Sequence, residues 1–247
     1  MSPFRRIASV ALYASHRVKL IYSYHDSLGE TGRIIQATEA YSLDRPQIPS
    51  RPWVGMCMVS SIDGSTVVNG DSAPLSNAAD RSVLVALRTA ADMILVGAGT
   101  VRDEGYGVPS KAGQRVAVVS RSGNLDLTTA LFTSSAGFLI LPENAPMQPV
   151  ESIRQGTNEV DLGGVLRYIN KTSSETRFIQ LEGGAMLNGT MVAADLVDEI
   201  NLTVSPQVTG GNGPRLTTNA PDLALGYRLQ HVLEDEGFLF LRYLRQR

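Results

Sequence analysis

Ala91-Asp92-Met93-Ile94-Leu95-Val96-Gly97-Ala98-Gly99-Thr100-Val101-Arg102 is the segment around which the chain is organised. Its apolar run, 93–96, is too short for a helix and is followed by turn residues, which indicates a buried strand. Gly97 and Gly99 favour a tight turn that brings the backbone close to a ligand, and Thr100 is suited to capping a helical turn after it. The N–H groups at such a helix start favour a phosphate or diphosphate. A plain turn between strand and helix is the alternative, because Arg102 occupies the third glycine position of the dinucleotide fingerprint.

Apolar patterns in the rest of the chain predict an α/β fold. Strands are predicted at residues 53–59, 115–119, 138–141, 177–181, 197–205, 227–234 and 238–243. Helices are predicted after a cap at Ser76 or Asn77, after a cap at Asp161, and through Leu187 and Met191. Because helices alternate with strands and the last two strands flank a turn, we expect a mixed, mostly parallel sheet with helices on both faces and a C-terminal antiparallel hairpin.

Residues 1–50 lack the regular apolar patterns of the residues after them. Their tyrosines lie among polar residues without a helical or strand period, and Pro46, Pro49 and Pro52 exclude regular structure where the segment ends. We therefore predict an N-terminal arm with a proline-rich linker at 1–50 and one α/β domain at 51–247.

The composition is ordinary for a globular protein, with 43% hydrophobic and 19% charged residues among 247. A net charge of −2 offers no basic surface for nucleic acid or for a membrane, and no run reaches the ~20 apolar residues that span a bilayer. The single cysteine, Cys57, and three scattered histidines form no metal-ligand pattern. Arg5 and Arg6 followed by apolar residues 7–14 resemble a signal peptide only faintly, so we expect a cytoplasmic protein.

Two further loops are candidates for ligand binding. Glu182-Gly183-Gly184 follows one predicted strand, and Ser120-Arg121-Ser122 follows another. Turns at the carboxyl ends of neighbouring parallel strands converge on one crevice. A dinucleotide diphosphate between two glycine turns would accept hydrogen bonds from both. Two hydroxyls flanking an arginine suit the 2′-phosphate that distinguishes NADPH from NADH, with a plain polar surface loop as the alternative.

Several motifs occur in an order that resembles a known family. They are Ser61-Ile62-Asp63-Gly64, Asp80-Arg81, Leu87-Arg88, the segment from Ala91 to Arg102, Glu182-Gly183-Gly184 with Leu187-Asn188-Gly189, and Asp195-Leu196-Val197-Asp198-Glu199 with Pro206. Together they cover about residues 52–246. They resemble the reductase domain of the bacterial riboflavin-biosynthesis deaminase/reductase, the RibD C-terminal family, which has a three-layer dihydrofolate-reductase-like fold. The H-x-E and C-x-x-C motifs of the deaminase domain do not occur, so the resemblance implies a stand-alone reductase.

The resemblance implies NADPH-dependent reduction of a ribosylaminopyrimidine, 5-amino-6-(5-phosphoribosylamino)uracil, to its ribitylamino form. The implied cofactor-binding residues, with those of the three loops, are Val59, Ser61, Gly97, Gly99, Thr100, Glu104, Ser120, Arg121, Ser122, Gly183, Gly184, Ala185, Met186 and Leu187. The implied substrate-binding residues are Ser72, Asp80, Arg88, Val108 and Glu182. The family usually dimerises, and the long strands near 197–205 and 226–244 offer sheet edges that a second copy would cover.

The chain also departs from the family pattern. Cys57 stands where these reductases usually carry a lysine, and the run that follows the threonine turn, 104–109, lacks the arginine that helps to hold the sugar phosphate. Binding of a phosphorylated pyrimidine therefore requires a replacement cation, for which Lys111 and Arg115 are the candidates in the sequence.

Glu182, or a water that it orders, is the first candidate for the proton source, and Asp80 is the second. Asp80 lies close to where dihydrofolate reductases place the carboxylate that binds the pterin, so a dihydropterin or dihydrofolate is the alternative substrate; helix-start electrostatics is the structural alternative for this residue. An alternative of another class is a catalytically silent NADPH-binding protein.

Overall fold

In a computed structural model of the chain, residues 13, 16–173 and 175–247 are described. The apolar segment 7–14 and its preceding arginines therefore lie almost wholly outside the described residues. The strands are β1 (Arg17–Ser23), β2 (Ile34–Gln36), β3 (Trp53–Ser60), β4 (Met93–Gly97), β5 (Arg115–Val119), β6 (Gly137–Leu141), β7 (Ser152–Arg154), β8 (Phe178–Leu181), β9 (Glu199–Val204), β10 (Tyr227–Asp235) and β11 (Phe238–Arg245). The α-helices are α1 (Ala37–Tyr41), α2 (Ala78–Ala90), α3 (Ala98–Glu104), α4 (Ala130–Thr133), α5 (Leu162–Thr172) and α6 (Ala185–Ala193).

All of these strands belong to one sheet, in the order β2-β1-β10-β11-β9-β3-β8-β4-β5-β6-β7. Every pairing from β9 to β7 is parallel, and every pairing from β2 to β9 is antiparallel. The parallel part is the larger one, and the two C-terminal strands form a hairpin. The mixed, mostly parallel sheet expected from the sequence is thereby confirmed.

The helices start where the sequence provides caps. The side chain of Asn77 accepts a hydrogen bond from the Asp80 N–H at 2.9 Å, and Asp161 accepts one from the Gly164 N–H at 2.9 Å. Each contact satisfies a backbone donor that the first helical turn leaves unpaired. Both helices then bury one apolar stripe. The buried stripe residues are Ala79, Val83, Ala86 and Leu87 in α2 and Leu162, Val165, Leu166 and Ile169 in α5.

Helices cover both faces of the parallel part of the sheet. Alternate residues of β4 enter different apolar clusters, because successive strand side chains point to opposite faces. Ile94 and Val96 pack in the cluster that holds α3 and α4, whereas Met93 and Leu95 pack with α5 and α6. Among the described helices, none is both long and apolar enough to cross a membrane.

The N-terminal region contains secondary structure that the sequence did not predict. Residues 17–41 form β1, β2 and α1, with β1 pairing along β10 and Tyr41 fully buried. Arg45 of the linker reaches Glu199 in the core, where both side chains are almost inaccessible. The two strands were not predicted because this segment has no long apolar period, and β10, with which β1 also pairs, is distant in sequence. The expectation that 197–205 and 226–244 are sheet edges is also wrong, since β9, β10 and β11 all have neighbours on both sides.

The helix after β4 begins earlier than expected. Helix α3 starts at Ala98 with Gly97 as its N-cap, so Thr100 lies within the first turn instead of capping it. The backbone of Gly97 is extended, as an N-cap requires, and its N–H donates to the Gly183 carbonyl at 2.7 Å. The short β7 and α4 were also not predicted, because three or four residues are too few to establish a period.

Candidate active site

The three predicted loops meet at one edge of the sheet. Strands β5, β4 and β8 are neighbours and run parallel, so the loops at 120–123, 97–100 and 182–184 all leave the same edge. The Glu182 N–H donates to the Leu95 carbonyl at 2.9 Å, which continues the ladder into the second glycine turn. The convergence follows from the parallel topology and gives a common rim for ligand binding.

Beside this rim lies a cavity of about 560 Å³ between β3, α2, α3 and the loop after β8. Nine of the predicted site residues line it: Val59, Ser72, Asp80, Arg88, Thr100, Glu104, Glu182, Gly184 and Ala185. The predicted residues outside its wall are Ser61, Gly97, Gly99, Val108, Ser120, Arg121, Ser122, Gly183, Met186 and Leu187. The volume suits a small heterocycle and part of a cofactor.

Glu182 is the centre of a buried polar network. Arg88 donates from Nε and Nη2 to its two carboxylate oxygens at 2.7 and 2.6 Å, a bidentate ion pair. The Tyr106 hydroxyl donates to Oε2 at 2.5 Å, and Gln180 Nε2 donates to Oε1 at 3.0 Å. A carboxylate accepts about four hydrogen bonds, so these donors occupy the acceptor positions of Glu182. The sequence did not indicate Tyr106 or Gln180.

Glu104 has the electrostatics of a proton donor. Its carboxyl group lies in the cavity wall, where the Ser72 hydroxyl donates to Oε1 at 3.1 Å. Burial, reinforced by the negative charge of Glu182, raises the pKa of Glu104 to about 7. A carboxyl group that is half protonated near neutrality can deliver a proton to a bound molecule.

Asp80 lies in the same wall, near Cys57. The Ser76 hydroxyl donates to Asp80 Oδ2 at 2.6 Å, and burial raises the pKa of this carboxyl group. Burial, followed by the charge of Asp80, raises the pKa of the Cys57 thiol well above its usual value. The thiol therefore stays protonated and is a poor nucleophile. Among the residues that the structure describes, no cluster of His, Cys, Asp or Glu could hold a metal ion.

The start of α6 forms a cradle of backbone donors. Gly184 is its N-cap, and the N–H groups of residues 185–187 donate no hydrogen bond to any described residue. A Cβ on Gly184 would lie 3.0 Å from the Thr100 hydroxyl, so glycine lets the two loops approach closely. Three free N–H groups at the positive end of a nine-residue helix fit a diphosphate.

Ser61 and Val108 lie outside the cavity. The Ser61 hydroxyl is buried and donates to Asp63 at 2.5 Å, while Asp63 accepts from the Gly210 N–H at 2.7 Å. Ser61 therefore holds two loops together. Val108 is 47% exposed on the surface.

Of the three predicted site residues in the loop after β5, one is buried and two are exposed. Ser120 is buried and accepts from the Gly123 N–H at 2.9 Å, so its hydroxyl shapes the turn. Arg121 and Ser122 are exposed, and Arg121 forms neither a hydrogen bond nor an ion pair with any described residue. Its guanidinium is accessible to an anion at the rim.

The two cations expected to replace the missing arginine are used elsewhere. Lys111 donates to the carbonyls of Thr89 and Ala91, at the end of α2. Arg115 forms a bidentate pair with Glu151, at 2.9 Å for both contacts. Neither lines the cavity. The cationic lining residues are instead Arg88 and Arg81. Arg81, Leu84 and Arg88 recur at helical spacing along α2, and this spacing was the signal in the sequence for the helix face that lines the cavity.

The chain is similar to known reductases in sequence and fold. The sequence model of the RibD C-terminal domain matches residues 52–237. The 2,5-diamino-6-ribosylamino-4(3H)-pyrimidinone 5′-phosphate reductase of Methanothermobacter thermautotrophicus is 28% identical over 180 residues, which are 67% of this chain and 82% of that protein. The protein of the same name from Archaeoglobus fulgidus is 26% identical over 215 residues, 76% of this chain and 96% of the other. A pyrimidine reductase-like protein from Corynebacterium diphtheriae shares the fold, with a TM-score of 0.73, 22% identity, and coverage of 86% of this chain and 100% of its own.

Proposed function

The chain belongs to the RibD C-terminal domain family, and on that premise we propose that it is an NADPH-dependent reductase of a ribosylaminopyrimidine phosphate. The first candidate substrate is 5-amino-6-(5-phosphoribosylamino)uracil, whose ribosyl group would be reduced to a ribityl group. The relatives from Methanothermobacter and Archaeoglobus are named for the related diaminopyrimidinone. The observation that carries the proposal is one cavity that joins the α6 cradle to the Glu182–Arg88 pair.

The cofactor would be held by the loops at the rim. The N–H groups of residues 185–187 and the Thr100 hydroxyl are suited to its diphosphate, and Arg121 with Ser122 to its 2′-phosphate. A bound nicotinamide dinucleotide supplies the hydride for a reduction of this kind. Val59, at the end of β3, lines the cavity between these loops and α2, where the nicotinamide is expected.

We assign the proton to Glu104, with Asp80 as the second candidate. Ring opening of the ribosylamine would give an imine, and hydride addition to the carbon of its C=N bond leaves a nitrogen that needs a proton. Glu104 can supply it, because with a pKa of about 7 it is about half protonated at neutral pH. Glu182 is less suited to this role, since Arg88, Tyr106 and Gln180 already donate to it. Its role in the proposal is to hold Arg88 against the substrate, with Arg88 Nη1 left to donate.

The direct test is oxidation of NADPH, followed at 340 nm, with each pyrimidine in turn. We expect turnover with the ribosylaminopyrimidine phosphates and a ribitylamino product by mass spectrometry. Binding of NADPH without turnover of any candidate would favour the catalytically silent protein instead.

Asp80 favours a second candidate substrate, a dihydropterin or dihydrofolate. A buried carboxylate in the cavity wall can accept two N–H bonds from an amidine-like ring edge. If the pterin is the substrate, dihydrofolate will be reduced faster than the pyrimidines, and Asp80→Asn will remove that activity while leaving NADPH binding intact.

We also propose a homodimer, formed through a sheet face that none of the described helices covers. On the face of β9–β11 opposite α2, apolar side chains align across the strands: Leu202, Val204, Val232, Leu239 and Leu241. These residues are partly or well exposed, and none belongs to the apolar clusters that contain the described helices. An apolar surface of this kind is typical of a protein interface.

A further inference from the structure

We propose that Arg81 is the binding residue for the anionic group of the substrate, the phosphate ester on its sugar. The inference rests on the proposed function, because it concerns the same cavity. It follows from the charges of the cavity wall and from one unpartnered atom.

Carboxylates outnumber cations in the cavity wall. Its carboxylates are Asp71, Asp80, Asp103, Glu104 and Glu182, and its cations are Arg81 and Arg88. Glu182 neutralises Arg88 through the bidentate pair. A phosphate monoester elsewhere in this cavity would face like charges, so the electrostatics direct it to Arg81.

Arg81 is available for such a contact. It forms no ion pair with any residue in the described part of the chain. Its Nε atom is shielded from solvent and has no hydrogen-bond partner there. A buried donor without a partner is costly in a folded protein, and a bound oxyanion would satisfy it. The planar guanidinium also suits a phosphate, to which it can donate two parallel hydrogen bonds.

The position of Arg81 on α2 explains how it complements the other wall residues. Arg81 and Arg88 are two turns apart on one face of the helix, with Leu84 between them, and all three line the cavity. A substrate along this face would place its ring near the Glu182–Arg88 pair and its phosphate about 10 Å away at Arg81. The arginine on α2 thereby replaces the one that the 104–109 loop lacks.

The test compares Arg81→Gln with the wild type, using phosphorylated and dephosphorylated ribosylaminopyrimidine. We expect KM for the phosphorylated substrate to rise about 10- to 100-fold, the effect of one charge-assisted contact, with KM for the dephosphorylated substrate within about 2-fold. Arg81→Lys should lose less, because it keeps the charge. Arg167→Gln, on the exposed face of α5, is the matched control.

Equal changes in KM for both substrates, or no change for either, would overturn the assignment. Binding of ribose 5-phosphate, measured by calorimetry, decides the question without turnover: loss of binding in Arg81→Gln supports the role of Arg81, and unchanged binding refutes it. If the wild type reduces neither pyrimidine, the proposed reductase activity fails, while the calorimetry still tests the anion site. Thermal melting of each variant verifies that it is folded.

Discussion

Glu104 makes the pH dependence of the reaction predictable. If this carboxyl group donates the proton, the rate should fall as the pH rises through about 7, because the required protonated form is lost above its pKa. Glu104→Gln should lower kcat by roughly 100-fold or more and remove this limb of the profile. Steady-state rates from pH 5 to 9 measure both effects.

The control for Glu104 is Glu30→Gln, which removes an exposed carboxylate from the connection between β1 and β2. It should leave the profile unchanged. If the alkaline limb persists in Glu104→Gln, another group donates the proton, and Asp80 is the next residue to test.

Arg121 determines the choice of cofactor in the proposal. Its exposed guanidinium lies in the loop after β5, at the same rim as the α6 cradle. Arg121→Ala should weaken NADPH binding about 10- to 100-fold and leave NADH binding nearly unchanged, because only NADPH has the 2′-phosphate. Fluorescence titrations with the two cofactors measure this difference; equal losses for both would refute the role.

At the scale of single residues, local patterns indicated Thr100 and Glu182 in the two glycine turns, and the family resemblance implied Asp80, Arg88 and Glu104. Asp80, Arg88, Thr100, Glu104 and Glu182 all line the cavity. The residues that complete the site are recognisable only from tertiary contacts. Tyr106 follows the glycine that ends α3, and nothing in its own segment indicates that its hydroxyl reaches Glu182, directly after β8.

Among the elements, the linker after the N-terminal arm is held to the sheet in part by one buried carboxylate. Glu199 of β9 accepts two hydrogen bonds each from Arg45 and Arg242, and its side chain is fully buried. Burial alone would raise the pKa of Glu199, but Arg242 and Arg45 outweigh burial and lower it to about 2. The pairing fastens the linker to the sheet.

Removal of this charge should be strongly destabilising. Glu199→Gln would leave two buried guanidinium groups without a counter-charge, which costs about 3–5 kcal/mol of unfolding free energy. Urea unfolding measures this loss. Glu151→Gln is the matched control, because it breaks an ion pair that is largely exposed and should cost less than about 1 kcal/mol.

The ion pairs of Glu199 also make the stability of the protein depend on pH in the acid range. The stabilisation from Glu199 is complete above the pKa of about 4.5 that an unfolded glutamate has, and it is lost as the pH falls from there towards 2. Glu199→Gln should therefore flatten the dependence of stability on pH in this range. An equally steep dependence in the variant would assign the acid sensitivity to other groups.

The elements that the sequence predicted well are those with a period or a cap. Helices α2 and α5 begin after the predicted caps, and β5 has its predicted bounds. Strand β1 was not predicted because its exposed positions include both polar and apolar residues, and its buried apolar residues, Val18 and Leu20, are too few for a secure alternation. Its partner β10 lies some 200 residues away in the chain, so no local rule connects the two.

For the whole molecule, β1 and β2 change the expected mode of association. The dimer was first expected from open sheet edges, but β10 is covered by β1 and β9 by β3. The edge strands of the sheet are instead the short strands β2 and β7. An apolar face that none of the described helices covers also remains, on which Leu239 and Leu241 of β11 lie between β9 and β10. Association of two chains through this face would remove apolar area from water, whereas edge pairing would be limited to the three-residue strands β2 and β7.

This geometry gives a test of assembly. The double variant Leu239→Glu/Leu241→Glu places two charges in the apolar face, and desolvating them in an interface would be costly. We expect the wild type to elute at the mass of two chains in size-exclusion chromatography with light scattering, and the variant at the mass of one. Tyr168→Glu, on the exposed side of α5, should remain a dimer. A wild type that has the mass of one chain at micromolar concentration would refute the dimer, and a dimeric double variant would move the interface to another surface.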